Sequence, residues 1–317
     1  MARARQQAGG GVDLSAEDFD ALFEAVSTWG RWGPRDQRGT LHHLTPARVA
    51  AAAGLVREGR TVSLGRPLDT RPAPHNPAPV LHHMTVLPDT DVGAGSVRFA
   101  KDFLGLDYHS DTHSHVDALC HAVHRGSLYN GRPSSEVSSR GAAADAIGVL
   151  DDGLVGRGVL LDVPRLRGVD WLEPGQHVLR EDLEAAERSQ RAGFGEGDVL
   201  LVRTGHGRRL AELGSWDTAR AKAGLHPTAM PLLAERRIAA LGSDGNNDTA
   251  PSTTEGVGFP VHLLALNAMG LHLFDYLALD ELARHCAAAG RWRFLFVAAP
   301  LRVPGGTGSP VNPIAVL

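Results

Sequence analysis

Apolar runs without alternation punctuate the chain at Gly158–Val163, Val199–Arg203, Ile238–Gly242 and Phe294–Ala298. Unbroken apolar runs of this length predict strands covered on both faces. Thr61–Leu64 and Val80–Leu87 predict two further strands. Helical spacing fills the intervals. Phe19, Leu22, Phe23 and Val26 follow Ser15-Ala16-Glu17-Asp18, which reads as a capping box. Thr45-Pro46 opens a second helix that runs to near Gly59, and segments 179–192, 260–269 and 279–289 carry three more. Strands interleaved with helices predict an α/β domain.

Composition adds bounds rather than a new picture. With 317 residues, 43% hydrophobic and 21% charged, the chain can bury a substantial core. Neither an internal repeat nor a linker divides it, so the expectation is a flexible arm over 1–14 and a single domain over 15–317. The Pro-rich piece Arg71–Pro79 reads as a surface loop. A net charge of −4, with no cluster of basic residues and aromatics, argues against a nucleic-acid partner. No apolar stretch approaches the ~18 residues of a membrane span. Cys120 and Cys286 are the only cysteines and no apolar run follows the N-terminus, so a reducing, cytoplasmic setting is expected.

The chemistry concentrates in Asp107–His121, where four of the sixteen histidines and three aspartates fall within fifteen residues. If that segment is extended, His109, Asp111, His113, His115 and Asp117 project from one face. Such a row is costly to desolvate unless a divalent cation binds it. His121 lies just beyond and is a candidate proton carrier. Far downstream, His262 stands in the first turn of an apolar helical run, and Asp275 ends the short run Leu271–Phe274. Asp244, in the polar turn after Leu241-Gly242, is either a functional group at a strand end or the cap of an Asx turn.

Other chemistries find less support. There is no G-x-S-x-G elbow, no Walker lysine loop and no G-x-G-x-x-G after a strand. Gly305-Gly306-Thr307-Gly308-Ser309-Pro310 has no helix behind it and reads as a tight terminal turn. Cys120 sits beside His121, but neighbours on a strand face opposite ways, which discounts a thiol nucleophile. Trp32 reads as core or as pocket wall.

Taken with Gly126-Ser127-Leu128-Tyr129-Asn130-Gly131, the Asp107–His121 string resembles the metal-dependent cyclase family, which includes bacterial kynurenine formamidase and isatin hydrolase. The likeness begins at Trp32-Gly33-Pro34-Arg35-Asp36-Gln37-Arg38-Gly39-Thr40-Leu41 and passes through Gly242-Ser243-Asp244 and Pro260-Val261-His262. It ends at Gly305–Pro313. The resemblance implies a swivelling β/α/β fold, a homo-oligomer (dimer or tetramer), and one or two Zn²⁺ or Mn²⁺ ions. The family pattern His-x-Gly-Thr-His-x-Asp-x-Pro-x-His places its second histidine at His115, its aspartate at Asp117 and its last histidine at His121. Its first histidine falls at Asp111, its glycine at His113 and its proline at Leu119. The upstream set is then completed by the Asp111 carboxylate or by His109. His262 matches the downstream metal-binding histidine, and Asp275 matches a glutamate one methylene longer.

The implied activity is metal-dependent hydrolysis of an amide or cyclic amide in a small-molecule substrate, with His121 moving the proton. The alternative is a non-hydrolytic cyclase or isomerase of a polyketide-like metabolite, in which the metal stabilises an enolate. A metal-binding protein without catalysis is a third reading.

Overall fold

Nine strands form the central sheet. In chain order they are β1 (Thr61–Ser63), β2 (His115–Asp117), β3 (Leu154–Asp162), β4 (Val199–Arg203), β5 (Ala240–Ser243), β6 (His272–Asp275), β7 (Arg293–Ala298), β8 (Gly308–Pro310) and β9 (Ile314–Val316). Their spatial order is β1-β9-β7-β3-β4-β5-β6-β2-β8. These coordinates are a computed structural model that describes residues 13–89 and 97–317.

The middle of the sheet is parallel, from β3 through β4 and β5 to β6, and both flanks are antiparallel. Every residue of β4, β5 and β6 is buried; the apolar runs of β4 and β5 suit that position, while β6 buries His272 and Asp275 as well. Helices cover the sheet: α1 (Ala16–Val26), α2 (Pro46–Ala53), α3 (Arg180–Gln190), α4 (His206–Leu213), α5 (Met230–Arg236) and α6 (Asp280–Ala289). The result is a mixed α/β domain. No helix among the described residues is long and apolar enough to cross a membrane.

The local signals act as read, with instructive exceptions. The Ser15 hydroxyl accepts from the Asp18 amide and starts α1, which buries Phe19, Phe23 and Val26. Helix α2 stops at Ala53, short of Gly59, because the chain caps on Gly54. Leu81–Val86 is a strand, but among the described residues it pairs only with Lys101–Gly105, and Leu81, Met84 and Phe103 are each at least half exposed. The segment expected as a tight terminal turn also contains β8, which pairs antiparallel with β2. Of the expected arm, residues 1–12 lie outside the described residues, while Leu14 is buried and its amide donates to the Thr253 carbonyl at 3.0 Å.

Asp244 acts as a structural tie. Its two oxygens accept from the Thr204 amide (2.7 Å), the Thr204 hydroxyl (2.8 Å), the Gly205 amide (2.8 Å) and the His206 amide (3.0 Å). One buried carboxylate thus caps α4 and fastens the end of β5 to the end of β4. Asp244→Ala strands these donors and is expected to destabilise the fold by about 3 kcal/mol, read as a lower denaturation midpoint with an unchanged m value.

Candidate metal centre

The register of two short strands brings the first groups together. In the antiparallel pair β6–β2, Asp275 lies opposite His115 and Leu273 opposite Asp117, so His115, Asp117 and Asp275 share a face. His262 arrives from the helical segment Pro260–His262, which continues as a π-helix over Leu263–Met269. His109 comes from the turn before β2. The expected one-faced strand is therefore much shorter than the spacing suggests. It spans only His115–Asp117, and residues 108–114 turn back on themselves.

Nitrogens converge on Asp117. His109 Nδ1 is 3.0 Å and His115 Nε2 3.5 Å from Asp117 Oδ1. His262 Nε2 is 3.5 Å from Asp117 Oδ2 and 3.4 Å from Asp275 Oδ2, and His115 Nε2 is 3.9 Å from the same Asp275 oxygen. Ligand atoms of His109, His115 and Asp117 lie within 4.8 Å of one another, as do those of Asp117, His262 and Asp275. Asp117 belongs to both groups.

Each imidazole is held from behind. His115 Nδ1 donates to the His113 carbonyl at 2.7 Å, which leaves the Nε2 lone pair facing inward. His262 Nδ1 pairs with Asp248 Oδ2 at 2.5 Å, and the same carboxylate accepts the Val261 and His262 amides. The Thr307 hydroxyl occupies His109 Nε2 at 3.0 Å. Asn247 donates to Asp275 Oδ1 at 2.6 Å, fixing the orientation of that carboxylate. Outer partners of this kind set the tautomer and aim of metal-binding imidazoles.

The interior, by contrast, is unsatisfied. Both Asp117 oxygens and His109 Nδ1 are buried and make no hydrogen bond. Burial disfavours the ionised form, yet the surrounding imidazoles hold Asp117 well below the usual carboxylate range. Burial likewise opposes the charged form of His262, but Asp275, Asp117 and Asp248 raise it well above its ordinary value. Buried oxygens without donors, ringed by inward nitrogens, have the donor set of a divalent cation. The residues fit such an ion.

His121 stands at the mouth of the same cavity, at the end of the turn Leu119–His121. Its ring stacks on His109 with centroids 3.9 Å apart and planes 6° from parallel, and lies 6.4 Å from His262. Desolvation lowers its pKa; Asp117 pulls the other way and the neighbouring imidazoles add to the depression. The cavity measures about 440 Å³ and is also lined by Pro77, Ala78, Asp107, Ser110, Asn246, Phe259, Leu263 and Tyr276.

Three other candidates stand outside both ligand groups. Asp111 borders the cavity but belongs to neither ligand group, because its Oδ1 accepts from Lys222 at 2.7 Å and from the Tyr276 hydroxyl. Geometrically, His109 and not Asp111 stands beside Asp117. Cys120 is buried, and burial pushes its thiol up to about 12, which leaves no thiolate for nucleophilic work. Trp32 stacks on His42 away from the cavity.

Sequence reasoning did not single out Asp248, Asn247, Thr307 or Gly308. The first two lie in the polar turn after β5, where the strand-end position was the available signal. Gly308 is needed for space. A Cβ there would meet the Val116 carbonyl oxygen at 2.5 Å and the His109 ring at 2.9 Å.

A mixed α/β domain with a carboxylate–imidazole centre at a strand junction is the class that these features define. The Cyclase family model matches residues 42–247, and the chain belongs to that family. A crystal structure described as a novel cyclase is 33% identical, with 93% of this chain and 99% of that chain covered and a TM-score of 0.85. Isatin hydrolase A from Labrenzia aggregata is 22% identical at a TM-score of 0.59, covering 83% of this chain and 94% of that one. Isatin hydrolase A from Ralstonia solanacearum matches at the same identity and TM-score, covering 84% and 95%. At that identity the likeness is one of fold. A search among curated proteins returns no match.

Two variants test the outer partners. Asp248→Asn is expected to weaken Zn²⁺ or Mn²⁺ binding about 10–100-fold in a chelator competition while the fold persists. Gly308→Ala, by displacing His109, is expected to move affinity in the same direction. Wild-type affinity in both variants would remove these residues from any part in cation binding.

Proposed function

We propose that the chain is a metal-dependent hydrolase that opens an amide or cyclic amide in a small-molecule substrate. The observation that carries this reading is Asp117, a buried carboxylate with no hydrogen bond, faced by imidazoles of His109, His115 and His262 that are each tethered from behind. His115, Asp117, His262, Asp275 and His109 would hold Zn²⁺ or Mn²⁺, as one or two ions, with Asp117 common to both groups. A cation bound there would lower the pKa of water and polarise a carbonyl.

The remaining work falls to the chain's own groups. His121, whose ring lines the cavity beside the ligand groups, takes up a proton at a ring nitrogen and returns it to the leaving nitrogen. Stacking on His109 fixes the plane of its ring. Phe259, Leu263, Pro77 and Ala78 supply an apolar wall for the body of the substrate. The swivelling β/α/β arrangement, a homo-oligomeric state and a cytoplasmic setting belong to the same proposal.

A cyclase or isomerase is the second reading, favoured by the description of the 33%-identical structure as a cyclase. Product mass separates the two, since hydrolysis adds the mass of one water and ring closure by isomerisation adds none. His121→Ala is expected to keep the metal and the fold while losing turnover by about 10²–10⁴-fold. Loss of metal in parallel with turnover would make His121 a ligand instead of a proton carrier.

A further inference from the structure

A second polar centre is built around Asp111. Its Oδ1 accepts from the Lys222 ammonium at 2.7 Å and from the Tyr276 hydroxyl, and Lys222 Nζ also lies 3.3 Å from that hydroxyl. The Lys222 side chain is 2% exposed, whereas that of Asp111 is 22% exposed, on the cavity. Lysine is rarely buried this deeply without a partner, so the pair is a built feature. Asp111 Oδ2 makes no hydrogen bond with the described residues.

The backbone is bent to supply the third member. Tyr276 has φ +55°, a left-handed conformation that a bulky residue adopts only at a cost. Its amide donates to the Gly245 carbonyl at 2.7 Å, and its carbonyl accepts from the Ser114 hydroxyl at 2.7 Å. The turn lets consecutive residues serve two centres: Asp275 faces His262 and His115, while Tyr276 holds Asp111. In the same cavity wall, Asn246 Oδ1 and Ser110 Oγ are buried and without hydrogen bonds. An ion-paired carboxylate can only accept. Asn246 Oδ1 likewise can only accept, so these two oxygens suit a ligand that carries a donor, while the Ser110 hydroxyl can act either way.

We propose that Asp111 Oδ2 is the acceptor for the N–H of the substrate, so that the cavity selects secondary amides and N-unsubstituted lactams over tertiary amides, N-alkyl lactams and lactones. The proposal rests on the hydrolase reading of the same cavity. A site built to bond a donor rejects the analogue that lacks it, because the acceptor is then desolvated and left unpaired. Asp111 is on this account a specificity-determining residue, and Lys222 and Tyr276 are positioning residues.

The test uses the full chain loaded with Zn²⁺ or Mn²⁺ and two matched pairs of probes: isatin with N-methylisatin, and formanilide with N-methylformanilide. Turnover and calorimetric binding are both measured. The wild-type protein is expected to favour the N–H member by about 10–100-fold in kcat/KM or Kd. In Asp111→Leu/Lys222→Met, which removes the acceptor and the charge pair together, the ratio is expected to fall to within about threefold, with metal content and cooperative melting retained. Tyr276→Phe keeps the charge pair and should lie between. If the double variant does not fold, Tyr276→Phe decides, and an unchanged ratio there overturns the proposal. Equal handling of both members by the wild type, or a preference that survives in the double variant, overturns the subsite and leaves hydrolysis standing. A binding preference without turnover keeps the subsite and removes the hydrolase reading. Absence of both binding and turnover with all four probes overturns both.

Discussion

A carboxylate buried without hydrogen bonds costs several kcal/mol unless an opposite charge accompanies it, and Asp117 imposes that demand on everything around it. Strand β2 is only three residues long, yet it is fixed on both edges, by β6 on one side and β8 on the other. Pairing with β6 sets Asp275 across from His115. Pairing with β8 brings Gly308 opposite Asp117, and the missing side chain is what lets the His109 ring approach. A larger residue at Gly308 would push on the His109 ring and disturb the set of nitrogens that makes the burial of Asp117 tolerable.

The sheet explains why the centre sits where it does. Its parallel middle ends at β6, and the antiparallel flank of β2 and β8 begins there. At that junction the loop after β5 and the start of the Pro260–Met269 helical segment converge. Asp248 from the loop caps the helical segment through the Val261 and His262 amides and aligns the His262 ring. Asn247 from the same loop reaches Asp275. One short polar turn thus orients a group in each of two elements, while Asp244 two residues after Gly242 ties that turn to α4. The π-helical continuation through Leu263–Met269 is an irregularity of the kind that often accompanies functional sites.

What was legible in the chain follows from the range of each signal. His115-x-Asp117 could be read because alternation on a strand is a two-residue rule, and the buried strands could be read because both faces need apolar side chains. The neighbourhood of His262 and Asp275 was legible through family resemblance rather than through spacing. His109 remained one of two alternatives, since its approach depends on a glycine almost two hundred residues away in sequence. Alternation misled for Asp111 and His113, because the chain turns before β2 and sends Asp111 to Lys222. The antiparallel pair Leu81–Val86 and Lys101–Gly105, half exposed among the described residues, shows the opposite limit. Apolar content alone does not reveal whether a second layer exists to cover it.

The central claim is that Asp117 is balanced by a divalent cation. Anomalous diffraction from crystals of chelator-stripped protein soaked in Zn²⁺, collected on both sides of the zinc edge, tests it directly. The account predicts an anomalous peak about 2.0–2.2 Å from an Asp117 oxygen and from inward nitrogens of the surrounding histidines, His115 or His262 among them. An Asp117 carboxylate with no anomalous peak beside it, in crystals that take up zinc elsewhere, would contradict the account.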